Sequence, residues 1–153
     1  MEPNNPVSQI PIQIKLEKFT IKQFVQEQMP EDIQPNEQIN FNHAIGIRVV
    51  PENEAIETHL DIKILRASNT QNLGALVTQG VFKIGPEAFQ KFKELGGIPR
   101  ELFILAINLT YSTTRGIMIE RFRGTPLQNA YLPIVNPDEL LQKIEERLVV
   151  KQQ

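Results

Sequence analysis

The 153-residue sequence contains no cysteine. This absence excludes disulfide bonds, thiolate metal sites and a cysteine nucleophile, and it is typical of proteins in a reducing compartment. We therefore expect a cytoplasmic protein. Strong charge of either sign is also absent, because 16 basic and 18 acidic residues leave a formal net charge of -2. No bulk electric field directs such a chain to nucleic acid or anionic lipid, so neither is an expected partner.

The sequence also lacks a long apolar run. Its first residues have neither the basic start nor the apolar stretch of a signal peptide, and no segment approaches the about 20 apolar residues of a membrane span. We expect no direct membrane insertion. The predicted organisation is a flexible segment over residues 1–9, a single domain over residues 10–150 and a short tail over residues 151–153.

Side chains suited to acid-base, nucleophilic or metal chemistry are few. The only two histidines, His43 and His59, fall on opposite faces of the predicted sheet, so they cannot share a metal ion. Gly96-Gly97 lacks the lysine and glycine spacing of a phosphate-binding loop. The hydroxyl cluster at residues 112–114 has no histidine or lysine spaced to activate it and is better suited to helix packing. The sequence therefore predicts no catalytic residue, no metal site and no cofactor.

Four segments alternate apolar and polar residues, and helical patterns follow them, which is the order expected of an α+β domain. The first segment covers residues 10–24. Its alternation changes parity after Leu16, which predicts a β-bulge near Glu17 or Lys18. The connection at residues 25–37 is long and contains two proline dipeptides, so the first two strands are not expected to pair as a hairpin.

The second and third segments form a predicted hairpin. They cover residues 38–50 and 56–64, and a turn lies between them at residues 51–54. The register that this turn sets places Val49 opposite Ile56, Ile45 opposite Leu60 and Phe41 opposite Ile64 on one face, and Arg48 opposite Glu57 on the other. The fourth strand covers residues 73–84, with Gly80 as a bulge or a point of close approach.

Three helices are predicted after the strands. A short one begins at Pro86 and ends before Gly96-Gly97. A long one covers residues 99–122 and is apolar nearly all round, so one sheet face cannot cover it and a second partner surface is implied. The last helix begins with Asn136 as its N-cap and Pro137 in the first position.

Two motifs resemble the SecB family of export chaperones. Residues 123–126 (Arg-Gly-Thr-Pro), followed by residues 132–140 (Leu-Pro-Ile-Val-Asn-Pro-Asp-Glu-Leu), are similar to the family's Arg-Gly-Thr, Pro-Val-Asn and capped last helix. Residues 79–84 (Gln-Gly-Val-Phe-Lys-Ile) are similar to its glycine-marked fourth strand. The resemblance extends over about residues 10–148. It implies a four-stranded antiparallel Greek-key sheet packed with one long helix and a C-terminal helix.

The resemblance also implies a function. Known members bind unfolded or precursor polypeptides in long apolar grooves without ATP, and they self-associate as dimers or dimers of dimers through their long helices. By position, the polypeptide-binding residues would be Val25, Met29, Ile33, Tyr131, Leu132, Leu140, Leu141 and Ile144. Burial of apolar side chains contributes about 25 cal/mol per Å² without demanding a fixed sequence, which suits varied clients.

One departure from the family concerns its partner in export. The first strand carries Lys15, Lys18 and Lys22, whereas export chaperones present carboxylates to the translocation ATPase SecA. This difference argues against docking to SecA. Three roles stay open: a general holdase, a dedicated single-client chaperone of the toxin-antitoxin type, and a small-ligand or structural binding protein on the same fold.

Overall fold

The protein folds into four strands followed by three helices, as seen in a computed structural model that describes residues 14–151. The elements are β1 (Ile14–Gln26), β2 (Ile39–Val50), β3 (Ala55–Arg66), β4 (Asn72–Ile84), α1 (Pro86–Glu94), α2 (Arg100–Arg121) and α3 (Pro137–Lys151). The predicted α+β class is confirmed. The predicted strand residues 10–13, the predicted segment 1–9 and residues 152–153 of the predicted tail 151–153 lie outside the described residues, whereas Lys151 of that tail is the last residue of α3.

All four strands belong to one antiparallel sheet with the order β1-β4-β3-β2. Strands β2, β3 and β4 follow one another as hairpins, and β1 lies beside β4, which is a Greek key. The connection from β1 to β2, residues 27–38, is called the crossover segment below. The prediction that β1 and β2 do not pair is confirmed.

The β2–β3 hairpin has the predicted register. Val49 pairs with Ile56, Ile45 with Leu60 and Phe41 with Ile64. On the other face the Arg48 guanidinium lies 2.8 Å from the Glu57 carboxylate. The turn is a 3-10 turn at Pro51–Asn53, and Glu54 closes it in the left-handed region with φ 52°. The alternation of apolar and polar residues in the two strands specifies the same register as the turn residues. A slip of one residue would move every apolar side chain of a strand to the outward face of the sheet.

Strand β1 keeps all of its apolar side chains except that of Val25 on one face through two irregularities. Its register against β4 slips between Leu16 and Lys18, at the predicted bulge, and again between Ile21 and Gln23, which the sequence did not indicate. Each extra residue reverses the alternation. The residues of β1 that share the apolar core face of the sheet are Ile14, Leu16, Phe19, Ile21 and Phe24.

Helix α2 lies on the core face, mainly across β3 and β4. Its buried residues are Leu102, Ala106, Ile107, Thr110, Tyr111, Thr114 and Met118. In the sequence, a spacing of three and four favours a stripe of Leu102, Leu105, Ala106, Leu109, Thr113, Gly116, Ile117 and Glu120 as the sheet-facing side. Of these only Leu102 and Ala106 are buried, whereas Leu105, Leu109 and Thr113 are half-buried. Periodicity could not select the sheet-facing side because the helix is apolar nearly all round.

Two buried hydroxyl pairs hold α2 on the sheet. Thr58 Oγ1 lies 2.6 Å from Thr110 Oγ1, and Thr78 Oγ1 lies 2.9 Å from Thr114 Oγ1. Because Thr110 donates its own proton to the Ala106 carbonyl, its oxygen accepts from Thr58. All four threonines are completely buried. Since a buried hydroxyl without a partner costs about 1–3 kcal/mol, these pairs disfavour any other register of α2 on the sheet.

Contrary to the expectation that no segment approaches a membrane span, helix α2 is long and apolar enough to cross a membrane by length and composition alone. The core helix of a globular domain has the same composition. Here the seven buried side chains of α2 pack against the sheet. The helix therefore serves as the second layer of the fold.

Gly80 allows a close approach within the sheet, as predicted. A Cβ atom there would lie 2.7 Å from Phe82 Cε2 and 2.8 Å from Thr58 Oγ1, whereas a Cβ at Gly46 would have nothing within 4 Å. We predict that Gly80→Ala lowers the free energy of unfolding by about 1–3 kcal/mol, because the core must shift. The control Gly46→Ala should change it by less than about 0.5 kcal/mol. Equal effects in urea denaturation would contradict this packing.

Candidate functional site

The largest apolar cluster reaches the surface at one end of the sheet, where the crossover segment leaves β1 and enters β2. Its buried part includes Leu73, Tyr111 and Phe122. Half-buried apolar side chains of the crossover segment, α2, the loop before α3 and α3 pack against it: Met29, Ile33, Phe103, Ile104, Ile117, Ala130, Val135, Leu140 and Ile144. This partly exposed apolar area is the candidate site.

Six of the eight predicted polypeptide-binding residues belong to this one cluster: Met29, Ile33, Leu132, Leu140, Leu141 and Ile144. These six residues differ in how far their side chains are exposed. Leu132 and Leu141 are only 1% and 4% exposed, so they support the site from within the core. The other four are half-buried and retain surface that a ligand could contact.

The two remaining predicted residues lie elsewhere. Tyr131 is 55% exposed and is not part of the buried cluster. Val25 pairs with Ala75 on the opposite face of the sheet, so β1 does not direct it toward the other predicted residues. Phe24 takes the core-face position instead, with its ring centroid 5.9 Å from that of Phe122.

One residue outside the predicted set, Phe24, packs against this cluster, and another, Ile134, lies beside it in sequence. Phe24 reaches the core face only because of the second bulge, and the guanidinium of Arg121 lies 5.4 Å from the centre of its ring. Ile134 is 91% exposed although it lies between the buried Leu132 and the half-buried Val135. The signal for Ile134 was the apolar run before the last helix. Phe24 carried no signal in the sequence beyond its type.

Arg66, at the end of β3, anchors the crossover segment. Its side chain is 9% exposed and donates to both carboxylate oxygens of Asp32, at 3.1 and 3.3 Å, and to Glu37. The hydrogen bonds from Arg66 lower the pKa of both carboxyl groups. Since the charged forms are favoured, the contacts of Arg66 with these two carboxylates contribute to stability above the ordinary carboxyl pKa. That contribution is lost as the pH falls through the lowered pKa values.

Two arginines of α2 hold the other side of the site. Arg115 donates to the carbonyl oxygens of Leu132 and Pro133, at 2.9 and 3.0 Å, which fixes the loop before α3. Arg100 donates to the carboxylates of Asp138 and Glu145 on α3. These contacts set where the apolar residues of α3 lie relative to α2.

The start of α3 follows the sequence prediction. Asn136 Oδ1 accepts from the backbone N–H groups of Asp138 and Glu139, at 3.0 and 3.4 Å, which confirms it as the N-cap. Pro137 fills the first helical position. Leu140 and Ile144, one turn apart, then share a face of the helix.

The titratable groups near the site have structural partners. His43 Nδ1 lies 2.6 Å from the Tyr111 hydroxyl, with the rings edge to face. Burial raises the pKa of Tyr111 to about 12, and burial together with Lys143 lowers the pKa of His43. A protonated phenol therefore donates to a neutral imidazole, which links β2 to α2. The prediction that the two histidines lie on opposite faces of the sheet is confirmed, since His43 packs on the core face and His59 is exposed on the other.

No metal site is apparent within residues 14–151, where no group of three histidine, aspartate or glutamate side chains could hold an ion. The site itself is apolar, and its charged neighbours Asp32, Glu37, Arg66, Arg100 and Arg115 are engaged in the contacts described above. Its chemistry is that of a surface that binds other apolar groups.

Comparison with known proteins shows the fold. No protein-family model matches the sequence, and no curated protein matches it. Among solved structures, the chain is similar to the SecB-like chaperone of Mycobacterium tuberculosis in complex with a ChAD peptide from the HigA1 antitoxin. The TM-score is 0.51 at 10% sequence identity, and the match covers 80% of this chain and 90% of that one. The chain thus has a SecB-like fold.

We predict that Arg66→Met loosens the crossover segment. The change removes the partner of two carboxylates, and because the Glu37 side chain is only 14% exposed, it should lower the free energy of unfolding more than the loss of an exposed ion pair does. The matched control is Arg48→Met, which breaks the exposed pair with Glu57 and should cost less than about 1 kcal/mol. Limited proteolysis should cut residues 27–38 faster in Arg66→Met alone. Equal cleavage of the two variants would show that Arg66 does not anchor the segment.

Proposed function

We propose that this protein is a chaperone-like binding protein that holds unfolded or non-native polypeptides on the candidate site. The observation that carries the proposal is the partly exposed apolar area on the crossover segment and α3. Met29, Ile33, Leu140 and Ile144 pack against one core cluster and keep part of their surface accessible. Tyr131 and Ile134 add exposed apolar surface nearby in sequence.

The composition of this area suits an extended polypeptide. Apolar contacts are not directional and contribute in proportion to the area that leaves water, so side chains of many shapes can be accepted. Methionine adds adaptability because its side chain is unbranched and polarizable. A ligand bound in this way needs exposed apolar side chains and no particular sequence, which is the property that separates a non-native chain from a folded one.

The structural neighbour supports the proposal at a general level. That SecB-like chaperone is bound to a peptide from an antitoxin, so its fold accommodates a polypeptide ligand. The identity of its ligand favours a second candidate, a dedicated chaperone for a single client. A role in protein export and a cytoplasmic location are further parts of the proposal that rest on the sequence resemblance and composition.

Self-association forms part of the same proposal. The outward side of α2 presents Leu105, Leu109, Gly116 and Ile119, and α2 has no charged residue between Glu101 and Arg115. Ile119 is 41% exposed, and Gly116 has open space beside it. A second copy packed on this face would bury it, and two-fold dimers are the commonest symmetric assembly.

A test of client binding uses two substitutions at accessible positions. We predict that Met29→Glu with Ile134→Glu weakens binding of a permanently unfolded, fluorescently labelled protein by about tenfold or more, because two apolar contacts are lost. Fluorescence anisotropy measures the affinity, and suppression of aggregation measures the holdase activity. Circular dichroism confirms that the variant is folded.

The matched control is Leu95→Glu, which also places a carboxylate on an exposed apolar position, 78% exposed and located after α1. It should leave client binding unchanged. Equal loss in the two variants would mean that charge, and not the candidate site, decides binding. Failure of the wild-type protein to bind any unfolded chain would favour a single-client or small-ligand role.

We predict an oligomer whose mass depends on α2. Gly116→Arg should reduce the mass measured by size-exclusion chromatography with light scattering, because it places a charged side chain on the outward face. The helix itself gains up to about 1 kcal/mol when glycine is replaced by arginine, so the subunit should stay folded. Gln90→Arg, at an exposed position of α1, is the control for the added charge. A wild-type monomer at micromolar concentration would refute self-association.

A further inference from the structure

Lysines gather on the outward face of the sheet, the face that α2 does not cover. Lys15 of β1 lies directly opposite Lys83 of β4, and Lys18 lies opposite Val81, two residues along β4. Directly paired residues point to the same side of a sheet, so these three lysines share one face. Lys22 follows at the second bulge. All four lysines are exposed.

The arrangement disfavours folding, since like charges directly opposite one another on a sheet are destabilising. Protection of an exposed edge would account for lysines and bulges on β1, which is an edge strand. It does not account for Lys83, because β4 is a central strand between β1 and β3. The presence of Lys83 on a central strand, directly opposite Lys15, therefore needs another explanation.

Little negative charge offsets these lysines. Strand β4 contains no acidic residue, and β1 contains only Glu17. Glu57 of the neighbouring β3 is engaged by Arg48. Within the described chain none of the four lysines forms an ion pair with a carboxylate. The β1–β4 half of this face is therefore positive although the chain as a whole carries a net charge of -2.

We propose that this face binds an acidic polypeptide segment in an extended conformation. Lys15 and Lys18 pair with residues two apart in β4, so the bulge sets them about 7 Å apart along the strand. Side chains on one side of an extended peptide recur at the same distance. Carboxylates at every second position of such a peptide would meet successive lysines. Thr20 and Gln79, paired across the same face, supply hydroxyl and amide groups beside them.

The face suits a peptide better than a nucleic acid or a membrane. Proteins that bind single strands use aromatic side chains on which bases stack, and they use arginine. The outward positions of β1 and β4 offer neither, because Phe19, Phe24 and Phe82 lie on the core face. Membrane binding needs exposed apolar or aromatic side chains beside the positive charge. Val81, which is half-buried, is the apolar neighbour of Lys18 on this face.

The test measures binding of a fluorescent peptide in which glutamate and serine alternate, in about 50 mM salt, where screening is weak. The wild-type protein should bind, and affinity should fall as salt is raised. Lys15→Gln with Lys83→Gln should weaken binding about fivefold. The control Lys91→Gln with Lys93→Gln, on α1, changes the net charge equally and should have no effect. Both double variants should still bind unfolded client, because the candidate site lies on the other face.

Three results would overturn the inference. The first is that the peptide does not bind the wild-type protein, and the second is that the two double variants bind the peptide equally. The third is that an oligothymidylate or a vesicle of phosphatidylserine and phosphatidylcholine binds more tightly than the peptide and depends on the same lysines. Each of these outcomes leaves the proposal for the candidate site unaffected, since that proposal is measured with an unfolded protein and not with the acidic peptide.

Discussion

The packing of α2 on the core face of the sheet is the interaction on which the rest of the structure depends. The Thr58–Thr110 and Thr78–Thr114 hydroxyl pairs specify where the helix lies, and the surrounding apolar burial provides the stability. One helix covers only part of a four-stranded sheet. The apolar residues at its margins must be covered by other elements or left partly exposed.

That incomplete cover produces the candidate site. The crossover segment, the loop before α3 and α3 itself close the margin of the core, and each is held by an arginine. Arg66 holds the crossover segment, Arg115 the loop and Arg100 the last helix. The apolar side chains on these elements are therefore positioned by polar contacts made elsewhere. This leaves their surface free for a ligand.

The sequence predicted the hairpin register and the helix ends because local patterns and turn residues agree there. Asn136 and Pro137, for example, determine the start of α3 by themselves. The position of Val25 was not predictable, because it depends on a bulge at Lys22 that follows from pairing with β4. The sheet-facing side of α2 was not predictable either, since apolar residues surround the helix. Within the predicted site, only tertiary packing separates the buried Leu141 from the half-buried residues.

We expect an extended polypeptide to bind where the crossover segment and α3 meet the core cluster. Hydrogen exchange, measured with and without a permanently unfolded client, can locate this binding site. The client should slow exchange in residues 27–38 and 130–144 and leave the outward face of the β2–β3 hairpin unchanged. Unaltered exchange in both of those segments, in the presence of saturating client, would show that the polypeptide binds elsewhere or does not bind.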